Sequence, residues 1–177
     1  QSYIIDKPIQ LKTIVSSNTP ETSSFDPIRV RQILVNLLGN AAKFTEQGEI
    51  VLSIDIIDKQ LWFCVKDTGP GIREDKLNEV FEPFQQSSQH QVGTGLGLPI
   101  SRKLANIMGG SLTVTSEYGE GSEFIFKMPL NNTGMLLRLK EAVIEAPETL
   151  HPQIQAWGGH CISSDSDTLK NEEFHYL

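Results

Sequence analysis

A two-layer α+β sandwich, with a mixed sheet and its helices on one face, is the fold class this sequence predicts. Three observations point to it. Hydrophobic periodicity runs in the order strand, helix, two strands, helix, two strands. That order lacks the one-for-one alternation of a doubly wound parallel sheet. Two of the strand pairs are also joined by short turns, Asp58-Lys59 and Tyr118-Gly119-Glu120-Gly121, which makes their members antiparallel neighbours.

Each element follows from local chemistry. Ile9 to Val15 reads as a strand, and the Ser-, Thr- and Pro-rich stretch from Ser16 to Ser24 as a loop. Asp26-Pro27 opens the first helix, because Asp caps well and Pro is tolerated at the first helical position. The apolar stripe Val30, Ile33, Leu34, Leu37 and Ala41 continues it. Glu49 to Ile57 and Gln60 to Asp67 read as strands, followed by a Gly-rich turn and a short charged helix from about Glu74 to Val80. After a polar Gln/Ser stretch from Gln85 to Gln91, a second helix follows Gly93 to Gly97, runs to Met108 and stops at Gly109-Gly110. Ser111 to Glu117 and Ser122 to Leu130 form the last hairpin.

With 177 residues, the chain is long enough for one domain with a real core. Its net charge of -7 and lack of a basic run argue against nucleic acid or anionic lipid as partners. The two cysteines, Cys64 and Cys161, offer neither a disulfide framework nor a metal-ligand spacing, which fits a reducing compartment. No apolar stretch approaches the roughly 18 to 20 residues that span a bilayer, so a soluble chain without direct membrane contact is expected. The start Gln1-Ser2-Tyr3 lacks Met and a signal-peptide pattern, which suggests a piece of a longer protein.

The candidate chemistry lies on three segments. On the first helix, Asn36, Asn40 and Lys43 are four and then three residues apart, so they share a face. Amide oxygens are hard neutral ligands suited to Mg²⁺, and Lys adds point charge for phosphates. The same residues also suit a solvated helix face. Asp67-Thr68-Gly69-Pro70-Gly71 ends an apolar strand, where a carboxylate can accept from an exocyclic amine and glycines admit a flat ring, although such a sequence also makes a common turn. Gly93-Thr94-Gly95-Leu96-Gly97 precedes a helix whose N-terminus favours an anion. It is not the Walker pattern and does not follow a strand as a Rossmann turn does.

Taken in order, with Phe81-Glu82-Pro83-Phe84 between the last two, these segments resemble the histidine kinase branch of the ATPase superfamily that also holds gyrase, the Hsp90 chaperones and MutL. The N box resembles Asn36 to Thr45, the G1 box Asp67 to Gly71, the F box Phe81 to Phe84 and the G2 box Gly93 to Gly97. The likeness extends from about Pro8 to Leu130. It implies a Bergerat-type fold that binds ATP and Mg²⁺, with Asn40 on the metal and Asn36 and Lys43 near the phosphates. Phe44 would lie against the adenine and Asp67 would read its amino group. Gly69, Gly71, Phe84, Gly93, Thr94, Gly95, Leu96, Gly97 and Ser122 complete the implied nucleotide contacts.

Hydrolases of the superfamily carry a Glu four residues before the metal-binding Asn, where this sequence has Asn36. A carboxamide has no useful basicity, so phosphoryl transfer to a histidine is favoured over hydrolysis. The resemblance places that histidine on a dimerising helical domain upstream, and none of His90, His151, His160 and His175 precedes the N box. Binding of nucleotide without autophosphorylation of the isolated chain is therefore expected. Relatives often carry basic residues before the G2 box, where this sequence has Gln89-His90-Gln91-Val92. A degraded regulatory nucleotide-binding module and an ATP hydrolase are the alternative readings. The implied setting is a cytoplasmic domain of a two-component system, in a parent anchored in the inner membrane, acting indirectly on a response regulator or receiver domain. Residues 131–177 read as a linker and a truncated or degenerate receiver-like segment, which would make the parent a hybrid kinase. Leu136 to Lys140 lacks the acidic pair of a receiver, and an amphipathic helix packed on the first domain is the other reading.

Overall fold

The computed structural model describes residues 7–17, 19, 22–84, 95–130, 136–138 and 160–161, with 22–24, 136–138 and 160–161 by backbone alone. The elements are β1 (Ile9–Val15), β2 (Thr22–Ser24), α1 (Pro27–Phe44), β3 (Gly48–Ile57), β4 (Gln60–Asp67), α2 (Gly97–Ile107), β5 (Ser111–Glu117), β6 (Gly121–Pro129), β7 (Leu136–Arg138) and β8 (His160–Cys161). One sheet runs in the order β5-β6-β4-β3-β1-β8. The pairs of β1 with β3 and with β8 are parallel, and the others in this sheet are antiparallel. The expected mixed sheet is therefore present.

One face of the sheet carries Leu11, Leu52, Phe63, Phe126 and Leu112, all buried, as the alternation of side chains in a strand requires. Ile33, Leu34, Leu37 and Leu38 of α1 and Ala105 of α2 join them in one cluster, which places both helices on that face. Burying each such Leu or Ile stabilises the fold by about 1.5–3 kcal/mol. The rings of Phe63 and Phe126, neighbours on adjacent strands, stack with centroids 5.5 Å apart at the centre of this layer.

Helix α1 begins as its sequence dictates. The Asp26 carboxylate accepts from the N–H groups of Ile28 and Arg29 at 3.0 and 3.2 Å, with Pro27 as the first helical residue. The β3–β4 turn has both Asp58 and Lys59 at positive φ, the backbone of a tight hairpin whose twist matches its strands.

Two expectations differ from the structure. Thr22–Ser24, read as loop, pairs antiparallel with Leu136–Arg138. The helix read from Glu74 to Val80 is instead two single 3₁₀ turns, Glu74–Lys76 and Glu79–Phe81, neither with a side-chain cap or a buried residue. An isolated helix that short has too few hydrogen bonds to offset nucleation. In the tail, His160–Cys161 pairs with Gln10 and Leu11 of β1, while residues 139–159 and 162–177 lie outside the described residues.

Candidate nucleotide site

Helix α1 and the end of β4 meet through the backbone of one glycine. A Cβ on Gly69 would stand 3.5 Å from the carbonyl carbon of Phe44, 3.2 Å from Thr45 Oγ1 and 2.8 Å from Asp67 Oδ1. The turn after β4 therefore lies against the last residues of α1, and a side chain on Gly69 would crowd the Asp67 carboxylate. Asp67 is buried, and its carboxylate accepts from the Gly69 N–H at 2.9 Å and from the backbone N–H of Ser122, its partner on β6. Burial raises the Asp67 pKa above the ordinary carboxylate value, and these two backbone donors oppose the rise.

Around Asp67 the turn is held on both sides. Thr68 N–H donates to Glu49 O at 3.1 Å, and Thr68 Oγ1 accepts from Glu49 N–H at 3.0 Å. The N–H of Ile72 donates to Ser116 Oγ at 2.7 Å, and Gly119 N–H to Pro70 O at 2.8 Å, which clamps the turn onto the β5–β6 hairpin. Gly71 sits there at φ +66°, a left-handed conformation that a side chain would strain, and any Cβ would overlap the Glu117 carbonyl. Ser116 Oγ also lies 3.0 Å from Ser122 Oγ and donates to Gly121 O at 2.7 Å.

The other end of the site lies where α1 meets α2. Asn36 donates from Nδ2 to Ser101 Oγ at 3.0 Å, and its Oδ1 occupies the place of a Gly97 side chain. Gly97 is the first residue of α2, and Leu96, its N-cap, makes no side-chain hydrogen bond, so the first turn presents backbone N–H groups. Asn40 and Lys43, half-buried, lie on the face of α1 that carries Asn36. Desolvation lowers the Lys43 pKa, and its ammonium stands 4.5 Å from the centroid of the Phe44 ring, which is itself partly exposed. A desolvated ammonium of this kind gains by pairing with phosphate charge.

Phe84 is mostly exposed, with φ at +65°, and its N–H donates to Gly95 O at 3.2 Å. Gly93 and Thr94 lie outside the described residues. Beside the turn after β4, a depression of about 520 Å³ lined by Arg73, Glu74, Asp75 and Tyr118 holds none of the predicted residues.

Three contributors are not marked by local pattern in the sequence. Lys7, only 8% exposed, donates from Nζ to the carbonyls of Lys43 and Thr45 at 3.0 Å and of Ala42 at 3.3 Å, and pairs with Glu46. It supplies donors and positive charge to the C-terminus of α1, immediately behind Lys43 and Phe44. Ser101 anchors Asn36, and Ser116 anchors the turn. The only sequence signal for Ser101 is its place one turn beyond Gly97 on the α2 face that is buried.

Residues 25–132 match the family described as histidine kinase-, DNA gyrase B- and HSP90-like ATPase. The chain belongs to this family, and within it carries the ATP-binding catalytic domain of the sensor histidine kinases. It is 44% identical over 124 residues to the sensor protein TorS of Escherichia coli, a match covering 70% of this chain and 14% of TorS. Against hybrid signal transduction histidine kinase B of Dictyostelium discoideum it is 38% identical over 135 residues, covering 71% of this chain and 7% of the relative. Full-length ShkA, solved in complex with AMPPNP, superposes with a TM-score of 0.64 at 36% identity, over 88% of this chain and 35% of ShkA. The chain thus spans a small part of the curated relatives it matches. Among the described residues, no helix is long and apolar enough to cross a membrane.

Proposed function

We propose that this chain holds Mg²⁺ and ATP along the arc Ser122, Asp67, Gly69, Phe44, Lys43, Asn40, Asn36 and Gly97, and transfers the γ-phosphoryl group to a histidine on a dimerising domain of its parent protein. The observation that carries this reading is the double junction of α1, with the turn after β4 resting on its end and the start of α2 resting on Asn36. A carboxylate for the adenine amine and backbone N–H groups for the phosphates thereby stand at opposite ends of one helix face.

The donor set suits Mg²⁺. No group of three or more His, Cys, Asp or Glu side chains that could hold a metal occurs among the described residues. An ion beside Asn40 would therefore take one amide oxygen and fill its shell from phosphates and water, as Mg²⁺ commonly does. Bound there, the ion would neutralise phosphate charge. Lys43 adds positive charge, the α2 N-terminus orients the phosphate chain, and Asn36, fixed to Ser101, keeps the two helices in register. For a loose phosphoryl transition state, this positioning and charge compensation supply most of the catalysis. Asn36 cannot deprotonate water, which favours transfer over hydrolysis.

Calorimetric titration with ATP, with and without Mg²⁺, tests the reading. Mg²⁺-dependent binding that Asn40→Ala and Asp67→Ala each weaken is the expected result. Absence of binding by the wild-type chain would favour a degraded regulatory module, a reading prompted by the missing Arg and Lys in Gln89-His90-Gln91-Val92. Incubated alone with ATP, the chain forms no acid-labile phosphohistidine; its appearance would refute the assignment of the acceptor to another domain. The parent is read as a hybrid kinase acting in a phosphorelay, with residues 131–177 a linker and receiver-like segment. The likeness to the hybrid kinase of Dictyostelium discoideum supports the reading of the parent as a hybrid kinase.

A further inference from the structure

Thr45 is the first residue after α1, and it is fully buried. Its backbone is already committed, with the N–H donating to Ala41 O at 2.9 Å and the carbonyl accepting from Lys7 Nζ at 3.0 Å. The residue cannot turn outward without undoing the helix end. Yet Thr45 Oγ1 has no hydrogen-bond partner among the described residues. A buried hydroxyl in that state opposes folding, and a valine of the same shape would not.

The surroundings indicate what the hydroxyl is for. The point where a Gly69 Cβ would stand lies 3.2 Å from Thr45 Oγ1 and 2.8 Å from Asp67 Oδ1, so the two polar atoms flank the same bare backbone. That carboxylate oxygen already accepts the Gly69 N–H at 2.9 Å. The two oxygens are not hydrogen-bonded to each other in this structure, but a carboxylate oxygen can accept a second donor, and a hydroxyl can supply one after a small shift or through a bridging water. With the Ser122 N–H also on the carboxylate, a hydroxyl donor on Oδ1 would fix the carboxylate plane, and the remaining lone pairs could accept from a ligand.

We propose that Thr45 is a positioning residue for Asp67, its hydroxyl donating to the carboxylate, directly or through one shared water, when a purine occupies the site. Thr45 thereby sharpens the preference for adenine over purines that lack the amino group. This rests on the reading of Asp67 as the group that accepts from the adenine amine.

The test uses the whole chain and two nucleotides, ADP and IDP, the second carrying a carbonyl oxygen where adenine has its amine. Wild-type protein binds ADP more tightly. Thr45→Val weakens ADP about tenfold, the scale of a lost hydrogen bond to a charged group, and changes IDP by less than about twofold. Thr45→Ser restores the preference, and the melting temperature of nucleotide-free Thr45→Val stays at or above that of wild type. Equal weakening of both nucleotides, or no change in either, would overturn the proposal. Equal wild-type affinities for ADP and IDP would instead refute the reading of Asp67, and this inference with it. Should Thr45→Val fail to fold, Thr45→Ala carries the same comparison.

Discussion

The two ends of the site are built on different principles. At the proposed purine end, Asp67, Ser122 and Thr45 are all buried, and the turn that follows Asp67 is tied to β3 and to the β5–β6 hairpin by backbone hydrogen bonds. At the proposed phosphate end, Asn36, Asn40, Lys43 and Gly97 are half-buried and come from two helices joined across the site by the Asn36–Ser101 hydrogen bond. A buried end with fixed acceptors discriminates by hydrogen bonding, because an unmatched partner there goes unpaired. A more exposed end made of helix dipole and ammonium attracts charge without reading much shape.

Four measurements can break that contrast. The largest effect is expected for Asp67→Ala, which should weaken ADP and adenosine alike by about a hundredfold in calorimetry, since both need the carboxylate. Next comes Gly97→Ala, whose methyl would overlap Asn36 Oδ1 and displace that carboxamide from Ser101. It should weaken ATP about tenfold and leave adenosine nearly unchanged; a matching loss for adenosine would show that the ends are not separate. Raising the ionic strength from low to about 1 M should weaken ATP severalfold and adenosine hardly at all, because screening acts on exposed charge.

The smallest effect concerns the free protein. Burial raises the Asp67 pKa, so the folded state holds that proton more tightly than the unfolded state does. The resulting stability is fully present below the unfolded value of about 4 and is lost as pH rises through the folded value. Thermal unfolding should therefore show Asp67→Asn gaining stability over wild type toward neutral pH and losing that advantage in acid. Nucleotide binding should move the opposite way in wild type, falling as Asp67 protonates. A parallel response in both proteins would mean that Asp67 is not the group responsible.

Those elements that local pattern determines were legible in the sequence. The Asp26 cap, the apolar stripe of α1 and the alternation in β4 and β6 each rest on neighbours one to four residues apart, and each stands where the periodicity puts it. The face of Asn36, Asn40 and Lys43 follows from the same spacing. The Glu74 to Val80 segment was misread because charge and helix propensity do not suffice where no side chain is buried. Lys7, Ser101 and Ser116 left almost no signal. Their partners are tens of residues away, and a lysine before a strand or a serine in a helix looks ordinary until the chain is folded.

Lys7 also bears on where the cooperative unit ends. The family signature begins at Phe25, but the ammonium that faces three carbonyls at the end of α1, and the strand whose Ile9 and Leu11 enter the core, both precede it. A chain trimmed to the recognisable family limits would keep every residue of the proposed nucleotide site yet leave β3 an open edge and the last turn of α1 without its donor. Hydrogen exchange would then find the residues around Phe44 opening well before the rest of the core, although nothing at the site itself had been altered.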